Sequence, residues 1–166
     1  MTATVAAAYK VRLGEANSSL LGAATGAINL NTDAIRARLH MTTTSIDTEI
    51  TNVAFVTMGD FTTLGETDGD TYTAGGELIN VAAGTYDSGN SRAVWASGAD
   101  TVFAGHGSGG TLPSNDLAGV STSKDVGADS VDPIISYHTG GFPKTLPGGG
   151  ADVRIVWDST GIIRIA

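Results

Sequence analysis

The chain has 166 residues and a formal net charge of −8, with nine Lys and Arg against 17 Asp and Glu. Hydrophobic residues make up 41% and charged residues 16%, enough apolar character for one packed domain and too little charge for a disordered chain. The acidic balance has the wrong sign for a phosphate backbone or an anionic membrane surface, the absence of Cys removes disulfides and thiolate zinc sites, and no apolar run approaches the ~18 residues that span a bilayer.

Residues 2–24 are Ala-rich, and Val5, Tyr9, Leu13 and Ala16 recur at helical spacing. Segment 1–26 therefore predicts a short N-terminal helix or arm, and Tyr9 and Leu13 are its candidate contacts to a neighbouring subunit. The opening "MTATVAAAYKVRLGE" lacks the apolar stretch of a signal peptide. Residues 27–166 predict a single β-rich domain. In "INLNTDAIRARLHM", Ile28, Leu30, Ile35, Ala37, Leu39 and Met41 alternate with polar residues around the turn-forming Asn31-Thr32-Asp33. That pattern predicts a β-hairpin with Arg36, Arg38 and His40 on the exposed face of its second strand.

Residues 44–77 are less regular. "NVAFVTMGDF" (Asn52 to Phe61) reads as a short strand or a helix entry. In "ETDGDTYTAGG", Glu66, Asp68 and Asp70 stand at alternate positions, the spacing at which oxygen ligands hold calcium. No bidentate Glu follows to complete such a loop, so these three are weak metal candidates and the expectation is no metal. From Glu77, "ELINVAAGTYDSGNSRAVW" predicts strand, turn and strand, followed by a strand near Thr101 to Ala104. A Gly-rich insertion loop is expected at 104–117. "AGVSTSKDVGADSVDPIISYH" predicts a second strand–turn–strand unit, with Pro133 opening its return strand, where a missing N–H matters least.

The chain ends on "VRIVWDSTGIIRIA", which predicts a closing hairpin of 152–158 and 161–166. By the period of two, Val153, Ile155 and Trp157 share one strand face. Ile155, Trp157, Ile163 and Ile165 are thus the expected core residues, with Arg154 and Arg164 on the opposite face. The whole reads as mainly β: an antiparallel β-sandwich or barrel of about seven or eight short strands with a short N-terminal helix or arm.

No catalytic constellation stands out. His40, His106 and His138 do not lie at metal spacing, and HExxH, GxSxG and the phosphate-binding loop are absent. His106 lies beside Ser108 in a loop too Gly-rich for a fixed base–nucleophile geometry. Trp95 and Trp157 fall on predicted strands, where buried aromatics are the ordinary outcome and a sugar-stacking platform the less common one. No catalytic residue and no cofactor are expected.

Five blocks, in order, resemble a family of small tailed-bacteriophage virion proteins. "INLNTDAIRARLHMTTTSID" is similar to the family's D-L-D-T-D-x-I-K-V-x-L hairpin, and "TYTAGGELI" to its G-Y-T-A-G-G-x-x-L segment. "TYDSGNSRAVWASGADTVF" resembles D-x-x-N-x-R-A-V-F-x-A-x-D-V-x-W. "AGVSTSKDVGADSVDPIISY" follows A-V-I-Y-K-D-T-G…P-L-I-x-Y, and "VRIVWDSTGIIRIA" is similar to F-T-I-x-W-D-A-x-G-I-L-T-L. The loop within 104–117 and the Ala-rich N-terminus depart from the family pattern.

The resemblance implies a non-enzymatic structural protein, most like a capsid decoration (cement) protein. It implies a place on the outer surface of the capsid, with the major capsid protein and copies of itself, as a trimer, for partners; the acidic charge adds the expectation of no direct nucleic acid and no membrane. A tail component (tube, terminator or fibre-attachment protein) is the alternative class, and a carbohydrate-binding surface module the second alternative.

Overall fold

The computed structural model describes residues 3–5, 28, 30, 32–52, 54–67, 72–82, 84–89, 92–104, 116–145, 152–158 and 163–165. Within them the fold is mainly β, and every strand pair is antiparallel. Ten strands are described: β1 (Ala3–Val5), β2 (Ile35–Met41), β3 (Glu77–Ile79), β4 (Thr85–Asp87), β5 (Arg92–Trp95), β6 (Thr101–Phe103), β7 (Leu117–Lys124), β8 (Ile134–His138), β9 (Val153–Ile155) and β10 (Ile163–Ile165). They form a five-stranded sheet in the order β1-β8-β7-β2-β3, a three-stranded sheet β10-β5-β4 and a two-stranded sheet β6-β9.

The long strands β2 and β7 are the centre of the large sheet. Their register pairs Ile35 with Lys124, Arg38 with Ser121 and His40 with Gly119. β8 lies on the other side of β7, and a bulge between Thr122 and Ser123 adjusts its register. All five β8 residues are buried, as expected of a strand covered on both faces. The strand–turn–strand unit read over 118–137 is the β7–β8 pair, and Pro133 immediately precedes β8. β4 and β5 pair antiparallel, with Ser88 and Gly89 of the "DSGN" signal in a turn after β4.

Three expectations are corrected. The 28–41 hairpin does not form: Ile28 and Leu30 lie outside any strand, and β2 pairs with β7 and β3 instead. Leu30 is buried in the core, so its apolar character serves packing, while the eight-residue β7 offers β2 a longer ladder. The terminal hairpin does not form either. β9 pairs with β6 and β10 with β5, so the last two strands separate into different sheets. Val5, read as the start of a helical stripe, lies in β1, which pairs with β8 through Val5–Ser136.

Segment 44–67 contains a one-turn helix, Ile46–Glu49, and a 3-10 turn, Met58–Asp60. Glu49 ties this segment together, accepting from the Ser45 hydroxyl at 2.6 Å, the Thr62 hydroxyl at 2.6 Å and the Thr62 N–H at 2.9 Å. Those donors hold its carboxyl below the usual range. Ile46, Ile50, Met58 and Phe61 join one core cluster with Ile35, Leu39, Val120, Ile135, Phe103, Ile155 and Trp157.

Candidate functional site

Two polar threads cross the large sheet, one on each face. Arg36, Arg38 and His40 share a face of β2 with Ser121 and Ser123 of β7, and sequence alternation places that face in solvent. The structure corrects this: Arg38 and His40 are both 0% exposed. The segment 44–67 reaches this face, with the Leu64 carbonyl seated on the His40 ring. Arg38 is compensated from below, because its guanidinium donates to the Asp132 carboxylate and to the Ser123 hydroxyl. Asp132, 1% exposed, also accepts the Val126 N–H at 2.8 Å. Arg36, nearer the edge, pairs with Asp125 at 2.8 Å and donates to the Gly76 carbonyl at 2.9 Å.

His40 is locked by both ring nitrogens. Nδ1 lies 2.9 Å from the Leu64 carbonyl, which only accepts, so Nδ1 carries the proton. Nε2 then accepts from the Ser121 hydroxyl at 2.7 Å. This is the hydrogen-bond pattern of a serine nucleophile and its base. Ser121 and His40 are nevertheless both 0% exposed, so no substrate reaches the hydroxyl. Burial, reinforced by the Arg38 charge and opposed by the Leu64 hydrogen bond, lowers the His40 pKa to about 4. The ring is neutral at ordinary pH and acts as a polar pin between β2, β7 and the 63–67 backbone.

Tyr137 stands beside it, edge-on to His40 with ring centroids 5.9 Å apart. A methyl group at Gly119 would come within 2.7 Å of the Tyr137 hydroxyl, so only glycine leaves room for this ring. The hydroxyl has no hydrogen-bond partner among the described residues. On the opposite face Thr122 Oγ1 meets Ser136 Oγ at 2.6 Å, and Ser136 Oγ meets His138 Nε2 at 2.8 Å. His138 packs edge-on to Trp157 at 5.4 Å, and burial lowers its pKa to about 4.

The residues singled out from sequence fall in several places. Glu66 is tied internally, accepting from the Tyr72 hydroxyl at 2.5 Å and the Gly75 N–H at 2.9 Å. Asp68 and Asp70 lie outside the described residues. Among the described residues no three His, Cys, Asp or Glu side chains gather to hold a metal. Tyr9, Leu13, His106 and most of the 104–117 loop also lie outside them. Ile155 and Trp157 are 5% and 8% exposed. Ile163 and Ile165 are in β10, paired with Trp95 and Ala93; their side chains and that of Arg164 are not described. Arg154 is exposed and reaches Asp100 at 3.3 Å.

The two Trp residues differ in burial: Trp157 is 8% exposed and Trp95 is half-buried. Trp157 lies just past β9 and donates from Nε1 to Thr101 Oγ1 at 2.8 Å. Trp95 lies against Gly84, where a methyl group would approach Nε1 to 2.5 Å.

Among the described residues a cleft of about 400 Å³ opens between β9 with the residues just after it and the segment around Gly140–Thr145. Leu117 and Phe142 line its apolar part, and Lys144, Asp152 and Arg154 supply its charged side chains. Sequence reading missed this cleft because Leu117, Phe142 and β9 meet only through the tertiary fold. The burial of Arg38 and His40 left one trace in the sequence, the Ser-rich β7 that supplies their hydroxyl partners. No family model, curated protein or solved structure matches the chain.

Proposed function

We propose that this chain is a non-enzymatic structural protein of a tailed-phage virion. It binds the outer capsid surface through contacts with the major capsid protein and clamps adjacent capsomers, acting as a trimer. The observation that carries this reading is the ordered set of five resembling blocks in the sequence; the first and last, read as hairpins, contribute their strands to other pairings. The polar interior supports it as well: Arg38, His40 and His138 spend their hydrogen bonds holding strands together rather than facing an opening. A small β scaffold that is pinned from inside keeps its outer surface and connections for partners.

The test is to locate the protein in purified particles by quantitative mass spectrometry after separating heads from tails. The expected result is many copies per particle, in proportion to the shell lattice and present on heads alone. A few copies confined to tails would replace this reading with the tail-component class, and absence from particles would end it.

A further inference from the structure

Among the described residues β9 is laddered on one side only. It pairs with β6 through Val153–Phe103 and Ile155–Thr101, and its other edge has no strand partner among the described residues. Such an edge is a template for pairing with another chain. The cleft of about 400 Å³ borders it, with Leu117 and Phe142 in its wall. At its lip Val156 is 60% exposed, among the most open large apolar side chains described.

The charges around the cleft are distinctive for so acidic a chain. Arg36, Arg38, Lys124 and Arg154 are each ion-paired, with Asp125, Asp132, Asp33 and Asp100. Lys144, exposed on the cleft rim, has no ion-pair partner among the described residues. Asp152 is the acidic side chain on the same cleft, at the far end of β9 from Val156.

We infer that the β9 edge receives an extended segment of a protein partner, with an apolar side chain in the cleft and a carboxylate against Lys144. This mode uses main-chain hydrogen bonds for affinity and alternate side chains for specificity. A second copy of the chain fits less well. β9 itself, Val153–Ile155, carries no carboxylate to set against Lys144. An acidic segment places an opposite charge there. The inference rests on the structural-protein reading, which requires a partner surface, and it names that surface.

Two capped hexapeptides serve as probes, Thr-Val-Glu-Val-Thr-Val and the same sequence with Lys for Glu, titrated into the full-length protein and followed by backbone amide NMR. The Glu peptide should shift the amides of Val153 to Val156 and Lys144, and bind roughly fivefold more tightly than the Lys peptide. Lys144→Glu, at an exposed position, should reverse that order. Equal binding of the two peptides, no binding, or shifts away from β9 would overturn the inference. Concentration-dependent shifts of β9 amides without peptide would make the occupant a second copy and overturn it too.

In parallel, wild-type, Lys144→Glu and Val156→Asp proteins are added to particles grown without this chain. Attachment about tenfold weaker in both variants supports the β9 edge. Attachment equal to wild type overturns the edge and leaves the structural-protein reading standing. Failure of wild type to attach removes that reading, and the peptide titration still decides the edge.

Discussion

Tyr137 and Ser121 lie on the same buried sheet face and differ in what their hydroxyls do. The Tyr137 hydroxyl has no hydrogen-bond partner among the described residues, whereas the Ser121 hydroxyl is the donor to His40. Removing an unmatched polar group relieves a desolvation cost, while removing one member of a buried pair leaves the other unsatisfied. Tyr137→Phe should therefore be neutral or stabilising, and Ser121→Ala should cost about 1–3 kcal/mol; urea unfolding of the two variants tests the contrast. The histidines give a second residue-level prediction. His40 and His138 titrate at about 4 in the fold, against 6.5 for an unperturbed ring. Below pH 6.5 the unfolded chain takes up protons that the fold refuses, so this stability is whole above that pH and is lost as pH falls towards 4. Each ring contributes a slope of about 1.4 kcal/mol per pH unit within the window. Urea midpoints should fall steadily from pH 6.5 to 4.5, and a flat profile would contradict the burial of both rings.

At the scale of elements, the joints between strands are single side chains. Trp157 follows β9 and reaches back to Thr101 on β6, so it fixes the strand tail as well as filling the core. Trp157→Ala should cost about 3–5 kcal/mol, measured by denaturant unfolding. Arg38 and Asp132 join β2 to the residue pair that leads into β8. Arg38→Met leaves a carboxylate that is 1% exposed without its guanidinium, and should cost about 3–5 kcal/mol. Adding Asp132→Leu should recover part of that loss, because a buried charge without its partner is worse than none. Thermal or urea unfolding of the single and double variants checks the order. Strand existence was legible here wherever apolar and polar residues alternate, as in β2 and in β9 with Trp157 beyond it. Pairing was not. The break at Asp158–Gly161 has the composition of a hairpin turn, yet β9 and β10 find their partners in β6 and β5, since local sequence carries no record of which distant edge is open.

For the whole molecule, binding to an assembled shell and not to its separated parts stabilises the assembled state by mass action. Under the proposed function, particles lacking this chain should release their genome at a lower temperature than complete ones. A dye-release melt of both particle types measures the difference, and re-addition of the purified protein should restore it. Equal melting would count against a clamping role. The acidic surface fits the same picture, because a net charge of −8 repels the packaged genome and leaves attachment to shape and to local contacts.

Composition and alternation alone determined the class of fold: a cysteine-free, acidic, mainly antiparallel β chain, with Ile155 and Trp157 on an inward face. They did so because strand periodicity is a local property, fixed by the pleat. What lies above a face is not local. Arg38 and His40 read as solvent residues because they are polar and alternate with the apolar Ala37, Leu39 and Met41, and they become interior residues only when segment 44–67 and Asp132 arrive from elsewhere in the chain. Glycine at 119 likewise acquires its meaning from Tyr137, eighteen positions away. The tertiary structure decided which edges were paired, which charges were matched and where a cleft remained open, since each depends on surfaces that meet only after the chain has folded.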